Sequence, residues 1–204
     1  MLEVAKAMIA EGGPEGFTIR ELGRRAKVSV TTIYASFGDK EGLLAAAIED
    51  YYQRLPLASA RPTASLPKLL AAEHVRAAVL ANKAYARQYV NLYFSSTVDP
   101  RVHKAIRDTS TAGAGHLPWI QKAMRDGDTI PGLSLETITT MLTNHRLLVL
   151  QDWAQGRLKD EDLHTAGKMA ILIFARGITC GATQARVDVE LRKLARATHD
   201  SEPG

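Results

Sequence analysis

The chain has 204 residues, 46% of them hydrophobic, and its 26 Lys/Arg outnumber its 22 Asp/Glu for a formal net charge of +4. This composition suits one large or two small globular domains, and no apolar run approaches the roughly 18 residues that a membrane span needs. The start carries no basic-plus-apolar secretory signal, and a single cysteine, Cys180, excludes an internal disulfide, so a cytoplasmic location is expected.

The first predicted helix opens at once. Leu2, Ala5, Met8 and Ile9 share a face at helical spacing, and Gly12-Gly13-Pro14 ends it. Thr18 begins a second helix as a capping box: its hydroxyl satisfies a free amide of the first turn, and the Glu21 carboxylate is expected to reach back to the cap. Ile19, Leu22 and Ala26 form the buried face of that helix. Val28 plugs a tight turn, and Ser29 caps a third helix. In it Ile33 and Phe37, four apart, point to the core, which turns Thr31, Tyr34 and Ala35 elsewhere, with Val30 and Thr32 beside them. Gly38 ends the third helix as a left-handed cap, and Asp39 caps a fourth with Lys40 and Glu41 in its first turn. Two short helices joined by a tight turn and followed at once by another helix is how a small domain places one helix in the DNA major groove. The outward hydroxyls, the tyrosine, the lysine and the helix N-terminal amides are all groups that contact phosphate.

The fourth helix is expected to run from 40 to 55. Residues 56–67 hold three prolines and form a linker. Further helices are expected at 67–81, 82–96, 100–112, 117–127, 134–156, 160–180 and 184–199, with a break around Gly113, Gly115 and Pro118 because the proline cannot donate the helical bond. No useful β alternation appears, so the class is all-α. Basicity does not single out the motif: residues 1–55 hold seven Lys/Arg against eight Asp/Glu. What favours DNA is placement, with Arg20, Arg24, Arg25 and Lys27 clustered around Glu21 alone.

The stretch carrying Thr18, Ile19, Leu22, Ala26, Val28, Ser29, Ile33, Tyr34, Phe37, Lys40 and Leu43 closely resembles the DNA-binding domain of the tetracycline-repressor (TetR) family of bacterial regulators. Two positions depart from the family pattern. Lys27 stands where the turn usually has Gly, which in an unchanged turn implies a left-handed or otherwise costly backbone, at about 1 kcal/mol, and Ser36 stands where a His is common. The resemblance implies a helix-turn-helix DNA-binding domain at 1–45 and a larger helical ligand-binding and dimerisation domain at 46–204. It implies base-reading roles for Arg20, Val30, Thr31 and Tyr34, and phosphate contacts from Thr18, Thr32, Ser36 and Lys40. Arg20 alone among these side chains forks onto a guanine, and Val30 and the threonine methyls sense only a thymine methyl or groove shape.

Tyr85, Tyr89 and Tyr93 recur every four residues, so they form one helical stripe. Such a stripe is ordinary core or the wall of a pocket, and three buried hydroxyls needing partners favour the pocket. Family topology adds His103, Arg107, His116, Trp119, Asn144 and Trp153 to that pocket, with Arg146 beside them. A flat or partly aromatic amphipathic effector fits such walls. The two long helices at 134–156 and 160–180 are expected to form the seam of a four-helix dimer interface, with Met141, Leu148, Ala166, Ala170, Ile173, Phe174 and Gly177 facing the partner.

No catalytic residue, metal ligand set or cofactor motif is assigned. The six His are scattered, there is no Gly-rich phosphate loop, and Cys180 has no motif around it. The expected function is a ligand-responsive transcriptional regulator, a repressor that binds a palindromic operator as a homodimer and is released by a small molecule. The alternatives are an activator or co-repressor-dependent regulator, or a helical small-molecule binding protein with a vestigial DNA-binding domain.

Overall fold

The computed structural model describes residues 1–54, 64–71, 82–112 and 115–199. These residues form eleven helices and no strand: α1 Leu2–Gly12, α2 Ile19–Ala26, α3 Val30–Phe37, α4 Lys40–Arg54, α5 Leu66–Ala71, α6 Lys83–Phe94, α7 Pro100–Ala112, α8 Leu117–Arg125, α9 Leu135–Ala154, α10 Leu163–Ile178 and α11 Gly181–His199. The all-α class expected from the periodicity is what forms.

Helix ends follow local chemistry. Ser29 accepts the Thr32 amide at 3.0 Å, Asn82 accepts the Tyr85 amide at 3.0 Å, and Ser134 accepts the Thr137 amide at 3.0 Å, each filling an orphan donor of a first turn. The break expected near Pro118 falls between α7, which ends at Ala112, and α8, where Pro118 sits in the first turn and needs no amide. Gly113 lies outside the described residues, as do most of the linker and the part of the 67–81 helix beyond Ala71. Pro67 is not linker but part of the first turn of α5.

Packing divides the chain into two units, Met1–Ser59 with Ala77–Gly113 and Ala60–Arg76 with Ala114–Gly204. The sequence division after residue 45 follows the motif, whereas packing groups α6 and α7 with α1 and α4, against which they lie. In the first unit Ala5, Met8, Ile9, Phe17, Leu22, Ile33, Leu43 and Ile48 are buried between α1, α2, α3 and α4. Lys6 is buried among them at 7% exposure, and its ammonium reaches Asp50 at 2.6 Å and Glu3 at 2.7 Å. A buried cation persists only when so paired. Burial pushes the Asp50 carboxyl up, but the hydrogen bonds from Lys6 and Arg54 outweigh it and hold it below its ordinary value.

The second unit is built on Leu66, Leu69, Leu70, Trp119, Ile120, Ile138, Leu142, Leu172, Ala175 and Val187. Its connections are tied by side chains from a distance. Asp128 accepts the Thr183 amide at 2.9 Å and hydroxyl at 2.7 Å, so the loop after α8 caps α11. Trp153, fully buried, donates its indole N–H to Asp160 at 2.8 Å.

Candidate nucleic-acid interface

The turn between α2 and α3 is compact for two reasons. Gly23 lets the chain fold back on itself: a Cβ there would lie 2.9 Å from the Val28 carbonyl oxygen. Lys27 then reverses the chain at φ 56° and ψ 40°, the only positive φ outside glycine among the described residues. The left-handed backbone expected at Lys27 is therefore present. Lys27→Gly should raise the unfolding free energy by about 0.5 kcal/mol, relief of the left-handed strain exceeding the glycine's added chain entropy. Urea denaturation measures it.

Thr18 accepts the Glu21 amide at 3.2 Å, which is the first half of the capping box. The second half differs from expectation. The Glu21 carboxylate turns away from the cap and accepts from Arg24 at 2.8 and 2.7 Å and from Arg25 at 2.8 Å. Those hydrogen bonds hold its pKa down to about 2. Two cationic forks win over one neutral amide because charge-assisted bonds are roughly twice as strong. Arg25 also pairs with Glu11 at 2.6 Å. Much of the basic cluster is thus compensated locally, in keeping with a motif whose charge does not carry its function.

All four base-reading candidates stand on the surface. Arg20, Val30, Thr31 and Tyr34 are exposed, Val30 at 38% and Tyr34 at 48%, while Ile33 of the same helix is fully buried and Phe37 half-buried. Exposed apolar and aromatic groups on a short helix are an unsatisfied surface unless something covers them. Of the phosphate candidates, Thr18, Thr32 and Ser36 are exposed and Lys40 half-buried. Ser36 donates its hydroxyl to the Thr32 carbonyl at 2.9 Å, and the Thr32 hydroxyl shares a proton with Ser29 at 2.8 Å. Phosphate oxygens only accept, so the Ser36 hydroxyl must turn from its present partner to reach one. Lys40 has protons to spare.

The ligand-pocket candidates fall in both units. On α6 of the first unit, Tyr85 is buried with its ring centroid 4.3 Å from that of Tyr51 on α4. Its hydroxyl has no hydrogen-bond partner among the described residues, and burial drives its pKa far above the ordinary phenol value. Burial also lifts Tyr51 to about 12. Tyr89 donates to the Ile106 carbonyl on α7 at 2.9 Å. Tyr93 stacks on His103 at 4.4 Å, and the Arg107 charge partly offsets the upward shift that burial imposes on its phenol. The stripe therefore lies between α6 and its neighbours. His116, Trp119, Asn144 and Trp153 belong to the second unit, where His116, Trp119 and Trp153 are buried and Asn144 half-buried. A surface cleft of about 370 Å³ in the first unit takes in Gly13, Lys40, Leu44, Gln88, Asn91 and Asp99 and none of the tyrosines.

Of the seam candidates, Met141 and Leu148 on α9 and Ile173 on α10 are 50%, 48% and 53% exposed. Gly177 is exposed, Ala166 and Phe174 are half-buried, and Ala170 is buried inside the chain. No described helix is long and apolar enough to cross a membrane.

Residues 1–47 match the family model of bacterial regulatory proteins, tetR family. The match covers the N-terminal domain, from α1 through most of α4. The likeness to TetR-family folds extends well past the domain. A TetR transcriptional regulator from Agrobacterium tumefaciens is 20% identical, with 90% of this chain and 95% of that one aligned and a TM-score of 0.55. A TetR-family transcriptional regulator from Streptomyces coelicolor is 17% identical over 99% of this chain and 87% of its own, with a TM-score of 0.61. The regulator FadR from Bacillus subtilis, in complex with stearoyl-CoA, is 17% identical over 87% and 97%, again with a TM-score of 0.61. At these identities the likeness establishes the fold. No curated protein matches the chain.

Three residues that matter here carry little signal in the sequence. Gly23 and Gly42 are visible there only as glycines inside helical patterns, a sign of close backbone approach. Arg101 stands alone after Asp99-Pro100, with nothing in the local pattern to point at it.

Proposed function

We propose that the chain is a ligand-responsive transcriptional repressor that binds a palindromic DNA operator as a homodimer. The observation that carries this reading is the outward face of α3. Val30, Thr31 and Tyr34 stand exposed on a helix whose opposite side is locked into the core through Ile33. Arg20 on α2 supplies the base-reading fork, and Thr18, Thr32, Ser36 and Lys40 take phosphates. A single reading helix of eight residues spans too few base pairs for useful specificity, so paired half-sites are expected. The apolar positions on α9 and α10, with Met141, Leu148 and Ile173 each about half exposed, support a two-fold seam.

The effector acts by population shift. A small molecule settles against Tyr85, Tyr89 and Tyr93, where the Tyr85 hydroxyl, without a hydrogen-bond partner among the described residues, offers it a hydrogen bond. Burying such a hydroxyl alone costs about 1–3 kcal/mol, which a ligand or a water recovers. The Tyr85 ring lies against Tyr51, so displacement there pushes on α4 and through it on α3. Coupling of about 1–3 kcal/mol releases most of the bound operator. The acyl-CoA held by the Bacillus subtilis FadR makes long-chain acyl thioesters a sensible first panel, beside flat aromatic amphiphiles. Fluorescence anisotropy of a bound operator tests the reading: release by a member of the panel supports it, and an operator complex indifferent to every member removes the ligand-responsive half.

Lys40→Ala should weaken binding to all DNA sequences alike. The slope of log affinity against log salt should flatten by about 0.9 for each phosphate the lysine no longer neutralises. A weakening confined to one sequence would instead assign Lys40 to base reading.

A further inference from the structure

The corner between α3 and α4 is held by a carboxylate that α4 shares with the start of α7. Asp39 accepts the Gly42 amide at 2.8 Å and so caps α4. Gly42 is itself pressed against the end of α3, where any Cβ would collide with the Phe37 carbonyl oxygen. The position of α4's first turn therefore fixes the end of the reading helix. The same Asp39 carboxylate accepts the Arg101 guanidinium from the first turn of α7, at 3.2 Å and 2.9 Å on its two oxygens. Arg101 is aimed by a second carboxylate: Asp99 accepts its backbone amide at 2.7 Å and its side chain at 3.1 and 3.2 Å. One guanidinium thus joins two acids, and its hydrogen bonds are the main cause that holds both carboxyls below their ordinary values.

The geometry points to Arg101 as a positioning residue for DNA reading, a latch that sets the angle of α3 from α7 through Asp39. This rests on the DNA-binding reading above. Without the guanidinium, Asp39 and Asp99 face each other as like charges, and attraction turns to repulsion. The α3–α4 corner then opens away from α7. Arg is suited to the task because its planar fork fixes an angle, where a lysine fixes only a distance. The pair is exposed, with Arg101 at 56% and Asp39 at 43% side-chain exposure. Its influence is therefore on orientation rather than on overall stability.

The test uses operator DNA selected on the full-length wild-type protein. Arg101→Gln should lower affinity for that operator roughly two- to fivefold per subunit, the range of an exposed pair, with an unchanged salt slope. Asp99→Asn, which keeps the cap and removes the repelling charge, should restore part of the affinity when combined with Arg101→Gln. Arg101→Lys should fall between wild type and Arg101→Gln. Three outcomes overturn the latch: wild-type affinity in Arg101→Gln, a flattened salt slope that makes Arg101 a phosphate contact, or no rescue by Asp99→Asn. If the wild-type protein selects no DNA at all, the DNA-binding reading fails first and the latch fails with it. Amide exchange at Gly42 and Leu43 gives an answer without DNA. Faster exchange in Arg101→Gln supports the latch, and an unchanged rate contradicts it.

Discussion

Leu148→Glu should convert the protein to single chains and reduce operator affinity at least a hundredfold. In one chain Leu148 is about half exposed on α9, so a carboxylate there meets water and the helix keeps a good helix former. Circular dichroism and the thermal midpoint should therefore stay near wild type. In a two-fold seam the substitution acts twice, placing two like charges in the interface. An unpaired buried charge costs about 3–5 kcal/mol, enough to move a submicromolar dimer well beyond working concentration. Met141, one heptad earlier on the same face, and Ile173 on α10 should behave alike. Light scattering reads the assembly directly. A protein that stays dimeric with this substitution has its seam elsewhere, and the exposed positions of α9 and α10 then need another explanation.

Arg20→Ala should cost about 1–3 kcal/mol of discrimination at one base pair in each half-site, because a bidentate fork onto guanine is the strongest single contact this surface offers. Arg20 is exposed at the start of α2, and its neighbours Arg24 and Arg25 are already committed to Glu21 and Glu11. The change should show as a vanished preference at one position in competition with single-base variants, with binding to the remaining positions intact. A uniform weakening across all variants would make Arg20 a phosphate contact. The side chains on α3 itself are short apart from Tyr34, so the rest of the specificity depends on half-site spacing and DNA shape.

The parts of the molecule written in local code were legible. Thr18 and Ser29 announce helix starts because their hydroxyls sit where a first-turn amide needs them, and Ile33 points inward because the spacing leaves no alternative. Lys27 was legible as strain, since a tight turn demands a left-handed residue whatever side chain occupies it. Contacts between segments distant in sequence were not legible. Glu21 was expected at its cap, but Arg24 and Arg25 take its carboxylate, a competition decided by side-chain reach. Arg101 meets Asp39 only because α7 packs on α4, and no periodicity encodes that. The tyrosine stripe was visible as a stripe. Its division into a Tyr89 that donates to Ile106, a Tyr93 stacked on His103 and a Tyr85 packed on Tyr51, with no hydroxyl partner among the described residues, depends on where α4 and α7 lie. Trp119 and Trp153 are buried in the second unit, in the cluster around Leu142 and against Asp160.

The proposed role requires that this chain read DNA through paired copies of α3. Selection of bound duplexes from a random pool by the purified protein, followed by titration of the selected sequence at several salt concentrations, measures that directly. The expected product is an inverted repeat whose half-sites lie about one helical turn apart. Two chains should occupy each site, with an affinity that falls steeply as salt rises. Recovery of no enriched sequence, or of binding indifferent to salt, would contradict the DNA-reading role.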